Sequence, residues 1–411
     1  MLFRIVLIAS LLGGAGMVRA EPLTFSAALT LAERASPDLE AQTAGIDAAR
    51  SGAVAAGALP DPKLELGIEN LPVTGPDQWR MDRDSMTMRK IGVMQEIPNA
   101  ARRHASTAVA AATVAQAEAQ RRVHVVAVRT AAAVAWLNRL YVERRLSLLG
   151  ELQHENALFA SAVQAQLAGG RGAAADLIAP KQEAADLADR FDSLQVEALK
   201  ARAALRRLLG PAGDEPLAGD PPAFAVDAAQ LRAHVHTHPD LALYGPMIEV
   251  AQAQVHAAEA AKVPDWSVEL SYGNRASQYS DMLSLQFTLA LPVFAATRQD
   301  PLIDASRKEM HRLEAERSDM LSSHTEVLEG ELGDYAVLTR QLDRVREIRL
   351  PLARQKLDFL LAGYQVNKAD LTAVLSARRE LIDTRIVEID LQNQRDVAAA
   401  RIYLGYVEPA S

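Results

Sequence analysis

The chain of 411 residues is long enough for two or three domains, and its 49% hydrophobic and 23% charged residues are ordinary for a folded protein. A net charge of -8 provides no polybasic surface for nucleic acid, and the absence of cysteine excludes disulfides, thiolate metal sites and a cysteine nucleophile. The sequence also has no glycine-rich phosphate loop, Gly-x-Ser-x-Gly elbow or His-Glu-x-x-His motif, so we expect neither enzymatic activity nor a cofactor.

Residues 1–20 have the pattern of a cleaved secretory signal peptide. Arg4 supplies a positive charge, residues 5–12 form an apolar run, and Ala20 ends a small-residue cleavage motif. A buried N-terminal helix is the alternative. After this segment no apolar run approaches the roughly 20 residues of a spanning helix, so we expect an exported protein that is either soluble or a membrane β-barrel. The mature N-terminus has no cysteine for a lipid anchor.

The mature chain begins with a helical segment that is followed by a strand hairpin. Residues 22–59 are predicted to form a short and a longer helix that are separated at Pro37. The hairpin is predicted over 62–98. In its return strand the alternation of polar and apolar residues slips at Arg89 and Lys90, which indicates a β-bulge.

A second strand hairpin, over residues 264–292, alternates more clearly. Each of its strands has one apolar and one polar face, with aromatic residues near the ends. Strands of about 9–11 residues with this pattern are typical of a membrane β-barrel, and a pair of soluble hairpins is the alternative. The residues predicted to face lipid are Trp266, Val268, Leu270, Tyr272, Leu283, Leu285, Phe287 and Leu289.

Each strand hairpin is followed by a long helical hairpin. Residues 100–168 contain no proline and a single glycine, which predicts one very long helix. Its tip is predicted near 169–175, where Asp176 would cap the next helix. The second helical hairpin has its predicted tip near 363–369, and Pro351 is predicted to kink or break its first arm.

The order of helix, strand hairpin and long helical hairpin occurs twice, which predicts an internal duplication. The first repeat covers residues 21–210 and the second covers 227–411, with a linker over 211–226 that is rich in Pro, Gly and Asp. The Pro-Asp-Leu sequence that begins at Pro37 recurs at Pro239.

Two strand hairpins provide four strands, which is too few to close a membrane barrel that leaves no open edge in lipid. The barrel must therefore be shared between chains, and three copies would supply twelve strands around an aqueous lumen. The predicted fold is mainly α with a membrane β-barrel part. It consists of a long α-helical barrel and four β-strands per chain, which complete a twelve-stranded barrel in a homotrimer.

These features resemble the TolC-type outer-membrane efflux channel family. The resemblance is carried by the doubled architecture and by the tip sequences at residues 363–366 and 374–377. It implies a trimeric tunnel that crosses the outer membrane and extends into the periplasm. It also implies two partners, a periplasmic adaptor (membrane fusion) protein and an inner-membrane pump of the RND type.

Residues 59–64 and 86–95 are similar to the CusC- and CzcC-like heavy-metal efflux members of that family. This similarity implies a passive conduit for heavy-metal cations. Export of drugs, or type I protein secretion, by the same kind of channel is the alternative. A periplasmic adaptor or coiled-coil scaffold is a second alternative, although adaptors carry one helical hairpin and this chain has two.

The resemblance places adaptor docking at the helical tips, and a plain helical turn without a partner is the alternative. The residues expected there are Gly169, Gly170, Asp176, Gly363, Tyr364, Val366 and Asp370. In TolC the tip helix carries two aspartates that ring the constriction, whereas the matching positions here are Ala373 and Ser376. The candidates for the constriction are therefore Asp370, Ala373 and Ser376.

Two groups of residues offer metal ligands, but neither is expected to form a site. His234, His236 and His238 lie in one segment before a proline, and no carboxylate has the spacing of a zinc site. The methionines of the first hairpin are spread along a strand and its loop, where packing or lipid contact is the commoner role. We therefore expect no metal site.

Overall fold

A computed structural model describes residues 22–170, 174–366 and 368–407. The predicted signal peptide, residues 1–20, lies outside these ranges, as does part of each helical tip.

The described residues are mainly helical, with four strands, as predicted. The helices are α1 (Phe25–Ala35), α2 (Pro37–Ala55), α3 (Ala100–Ala168), α4 (Ile178–Leu209), α5 (Ala228–His234), α6 (Pro239–Ala260), α7 (Gln299–Arg344), α8 (Leu350–Gln365) and α9 (Leu371–Ile402). The strands are β1 (Lys63–Glu69), β2 (Met88–Ile97), β3 (Asp265–Asn274) and β4 (Met282–Ala290).

Local sequence explains where several helices begin and end. The break between α1 and α2 is confirmed, because Ser36 caps α2 by accepting a hydrogen bond from the Leu39 amide at 3.3 Å and Pro37 occupies the first turn. The long helix is also confirmed, since α3 has 69 residues. It contains an apolar stretch long enough to cross a membrane, but 56% of that stretch is buried within the protein, as in the core helix of a folded domain.

The predicted cap at Asp176 is wrong. A short 3-10 turn, Ala174–Leu177, precedes α4, and Leu177 occupies the cap position without a side-chain hydrogen bond. Asp176 is inside that turn. The extra turn moves the start of the α-helix beyond the residue that the sequence marks as a cap.

Pro351 breaks the second long helix as predicted. A single π-helical turn, Val345–Arg349, separates α7 from α8 just before this proline. Proline has no N–H, and its ring crowds the carbonyl group four residues earlier, so the helix widens in the preceding turn.

The four strands form one antiparallel sheet in the order β1-β2-β3-β4. The pairing of β2 is continuous from Met88 to Ile97, so the predicted bulge at Arg89 and Lys90 is wrong. Arg89 pairs with Ile68 and takes an apolar position of the alternation, while Lys90 remains on the polar face. Arg89 is thus a single charged residue on the otherwise apolar face, and it makes a regular alternation look like a shift of register.

The chain divides into two compact units. One unit contains the residues up to Ala35, Ala132–Ala223 and Ala353–Ile389, and the other contains Ser36–Ala131, Phe224–Leu352 and the residues from Asp390 onwards. Each unit therefore takes segments from both predicted repeats.

Each unit has its own hydrophobic core. In the first unit α3, α4 and α9 contribute Val142, Leu148, Leu149, Leu152, Leu187, Leu194 and Ile382. In the second unit, which also carries the sheet, the core is formed by Leu231, Leu328, Leu332, Ile402 and Tyr406.

Candidate functional site

One face of the sheet is apolar and exposed. The eight residues predicted to face lipid all lie on it. Each of the four in β3 pairs directly with one of the four in β4, as Leu270 pairs with Leu285, and directly paired residues point to the same side of a sheet. All of them are exposed except Val268, which is partly buried. The face continues across β1 and β2 with exposed apolar residues such as Leu66 and Ile91. A patch of this kind marks contact with a membrane or another protein.

The opposite face of the sheet is polar. The Lys90 ammonium lies 2.6 Å from Glu269, 3.2 Å from Glu69 and 3.7 Å from Glu65, so carboxylates from β1 and β3 surround a lysine of β2. Three carboxylates and one ammonium leave this patch negatively charged. The alternation therefore separates an apolar side from a charged side across all four strands.

The sheet has two open edges, because neither β1 nor β4 has a second partner strand among the described residues. An edge strand presents unpaired N–H and C=O groups, which are costly in lipid and pair readily with another chain.

The ends of the sheet are held by side chains. At one end the hairpin loops are joined, since Arg275 donates to the Ser85 carbonyl at 2.9 Å and Gln278 donates to the Asp82 carbonyl at 2.7 Å.

At the other end, buried Asn99 connects the junction between β2 and α3 to the junction between α6 and β3. Its amide group donates to the carbonyl groups of Ala260 and Val263 and to the Asp265 carboxylate, and its side-chain oxygen accepts from the Arg102 amide at 2.7 Å. Sequence reasoning missed this residue, because the three acceptors of its amide group are more than 160 positions away.

The two helical tips meet at Tyr364. Its hydroxyl donates to the Gln166 side chain at 3.2 Å, near the C-terminus of α3. Burial and the nearby carboxylates of Asp176 and Asp370 raise the pKa of Tyr364. The structure therefore brings together three of the predicted docking residues, and Val366 is exposed beside them.

The predicted glycines of the tips have different roles. Gly169 and Gly170 follow α3 directly, and Gly170 has a φ of 75°, which favours glycine. The Gly363 carbonyl accepts hydrogen bonds from the amides of Lys368 and Ala369, which closes α8. A Cβ atom at Gly363 would lie 3.0 Å from the Ala369 Cβ, so this glycine serves the turn itself.

The three candidates for the constriction are spaced three residues apart at the beginning of α9. Asp370 and Ser376 are exposed and Ala373 is partly exposed, whereas Val374 and Ala377 of the same turns are buried. The candidates therefore share one side of this segment, away from its packed side.

A buried carboxylate lies on α4 in the first unit. Glu183 is 6% exposed, lies 4.0 Å from the Arg378 guanidinium, and its oxygens have no hydrogen-bond partner within the described ranges. Burial raises the pKa of Glu183, and the charge of Arg378 opposes this shift only in part.

A cluster of two histidines and an aspartate lies in the second unit. His238 and Asp240 begin α6, and His324 projects from α7, 86 residues further along than His238. The break after α5 removes His234 and His236 from this group. The sequence carries no local signal for the cluster, because His324 lies 86 residues from His238 and on another helix.

Comparisons with known proteins identify the fold. Residues 235–404, less than half of the chain, match the family model described as Outer membrane efflux protein, and no curated protein sequence matches at a significant level. A membrane protein from Pseudomonas aeruginosa is similar in structure, with a TM-score of 0.77 at 17% identity over 93% of this chain and 89% of its own. CusC has a TM-score of 0.74 at 19% identity, over 93% and 92% of the two chains.

The CmeC outer membrane channel of Campylobacter jejuni has a TM-score of 0.74 at 10% identity, over 93% of this chain and 85% of its own. This chain has the fold of an outer-membrane channel protein. The likeness confirms the predicted combination of long helices with a four-stranded sheet. At these identities the likeness shows the fold alone.

Proposed function

We propose that this protein is the outer-membrane channel of a tripartite efflux pump. The observation that carries the proposal is the sheet, which has an exposed apolar face, a charged opposite face and two open edges. Such a sheet is suited to a barrel wall with lipid outside and water inside. The match of residues 235–404 to the efflux protein model supports the same function.

The open edges require more than one chain. Three copies, each with four strands, would close a twelve-stranded barrel in which β4 of one chain pairs with β1 of the next. The strand directions allow this pairing, because antiparallel alternation continues from β4 to the neighbouring β1. In this homotrimer the long helices would form the tunnel that extends into the periplasm.

The tip around Tyr364 is the proposed docking surface for a periplasmic adaptor, which would connect the channel to an inner-membrane pump of the RND type. Its features suit an interface, since exposed Val366 offers apolar contact and Asp176 and Asp370 lie near one tyrosine. In this arrangement the channel is passive, and Asp370, Ala373 and Ser376 are the candidates for its constriction.

The proposed cargo is heavy-metal cations. This finer proposal rests on the similarity of residues 59–64 and 86–95 to heavy-metal efflux members. The charged face of the sheet, where three carboxylates surround Lys90, would give the lumen a negative wall that attracts cations without holding them tightly.

Two measurements test the proposal, one on a strain that makes the protein and one on a deletion strain. The channel function predicts recovery of the protein in the outer-membrane fraction as an oligomer that dissociates on heating. The cargo predicts that deletion sensitises cells to metal salts more than to dyes and detergents. Sensitivity to dyes alone would favour drug export through the same channel, and a soluble periplasmic protein would contradict the channel itself.

A further inference from the structure

The cluster at the beginning of α6 has the spacing of metal ligands. The Asp240 carboxylate oxygen Oδ2 lies 3.7 Å from Nδ1 of His238 and 3.4 Å from Nε2 of His324, and the three ligand atoms lie within 4.8 Å of one another. Around a tetrahedral Zn²⁺ with ligands at about 2.0–2.1 Å, neighbouring ligand atoms are roughly 3.3 Å apart. The two distances from the Asp240 oxygen are therefore close to that value. Small side-chain rotations would shorten the remaining distance, between the two histidine nitrogens.

The two imidazole rings lie side by side, with centroids 4.1 Å apart and planes tilted by 37°, and one nitrogen of each lies near Asp240. Nδ1 of His324 lies 3.4 Å from the Tyr406 hydroxyl, so a proton on Nδ1 can be donated to Tyr406 while the lone pair of Nε2 faces Asp240. Nδ1 of His238 accepts a long hydrogen bond, 3.3 Å, from the Asp240 backbone N–H, which leaves this nitrogen without a proton. A cation would replace that weak bond with a metal–nitrogen bond.

The cluster is also accessible to an ion. The side chains of His238 and His324 are 13% exposed and that of Asp240 is 40% exposed, so an ion can enter and retain a water molecule as a further ligand. The partial positive charge at the start of α6 opposes a cation, and the negative charge of the Asp240 carboxylate offsets it.

We propose that His238, Asp240 and His324 bind one divalent transition-metal cation of the Zn²⁺ class per chain. Two imidazoles and one carboxylate favour such an ion over Ca²⁺ and Mg²⁺, which prefer oxygen ligands, and over Cu⁺, which prefers sulfur. The ion would join the beginning of α6 to the middle of α7 and would stay with the protein. This proposal is independent of the cargo, because it concerns binding by the purified chain.

The test uses the purified full-length protein after removal of any affinity tag and of bound metal with a chelator. Titration with Co²⁺, followed by its visible absorption, and with Zn²⁺, followed by calorimetry, is expected to show one ion per chain. His324→Gln is the decisive variant, because this residue does not cap a helix, and it should weaken binding by more than about tenfold. Asp240→Asn should do the same.

His236→Gln is the matched control, since it lies two residues from His238 and outside the cluster. Tyr406→Phe keeps all three ligands but removes the partner of His324, so we expect roughly tenfold weaker binding. Loss of the ion in the His236 variant, unchanged affinity in the His324 variant, or no stoichiometric binding by the unaltered protein would each overturn the proposal. A heat-dissociable oligomer on gels checks that every variant is folded.

Discussion

The exposed face of β4 provides the sharpest mutational test of the proposed barrel. Leu285 is the fourth of the nine residues in β4, so it would lie near the middle of the membrane-spanning part, and its side chain is 60% exposed. Leu285→Arg would place a guanidinium in lipid at a cost of about 2–4 kcal/mol per chain near the midplane. Three chains would contribute roughly 6–12 kcal/mol to the assembled barrel.

The next residue in the strand provides the control. Gln286 pairs with Glu269 on the charged face, so Gln286→Arg adds the same charge to the same strand on the side that would face water. We expect Leu285→Arg to reduce the amount of heat-dissociable oligomer in the outer-membrane fraction severely, and Gln286→Arg to leave it close to the unaltered level.

The assay is a comparison of unheated and heated membrane fractions on gels, normalised to total expressed protein. Equal yields of the two variants would refute the assignment of the apolar face to lipid. A loss of both would show that β4 tolerates no arginine, and it would remove the distinction between the faces on which the barrel depends.

Three further predictions concern other parts of the chain. Asn99→Ala should lower the unfolding free energy by about 1–3 kcal/mol, measured by thermal unfolding, because it removes the buried amide that donates to the Val263 carbonyl and to the Asp265 carboxylate. The pKa of Glu183 is raised in the folded state, so its contribution to stability is present at low pH and lost as pH rises through that pKa. Glu183→Gln should therefore raise the melting temperature at pH 8 but not at pH 4. An equal gain at both pH values would contradict the raised pKa of this carboxyl group. Val366→Glu should abolish resistance to metal salts while the oligomer forms normally, because it removes the apolar contact proposed for the adaptor. The control is Leu199→Glu, since Leu199 is exposed on α4 away from the tip, and it should change neither the resistance nor the amount of oligomer.

The sequence predicts those features of the fold that depend on local patterns. The alternation in β3 and β4 depends only on neighbours two positions apart, and it places Leu270 and Leu285 on the same face. The break at Pro351 likewise follows from the chemistry of one residue. These features need no knowledge of distant contacts.

The features that the sequence did not predict depend on tertiary packing. His324 joins His238 only when α6 and α7 lie side by side, and Asn99 finds its partners only when the two strand hairpins pair. Asp176 has the residue type of a helix cap, yet the chain makes an extra turn before α4 begins. Tertiary packing overrides local preference at these positions. Two of them belong to proposals made above, since His324 is a ligand of the proposed metal site and Asp176 lies at the proposed docking surface.

The central claim is that neighbouring chains complete the barrel by pairing β4 with β1. Because the chain has no cysteine, single cysteines can be placed at Leu66 on β1 and at successive outward positions of β4, namely Leu283, Leu285 and Phe287. The account predicts that at least one double-cysteine variant forms disulfide-linked dimers and trimers in outer membranes, and that no single-cysteine variant forms the trimer. Monomers in every double variant, with the protein recovered in the soluble fraction, would contradict it.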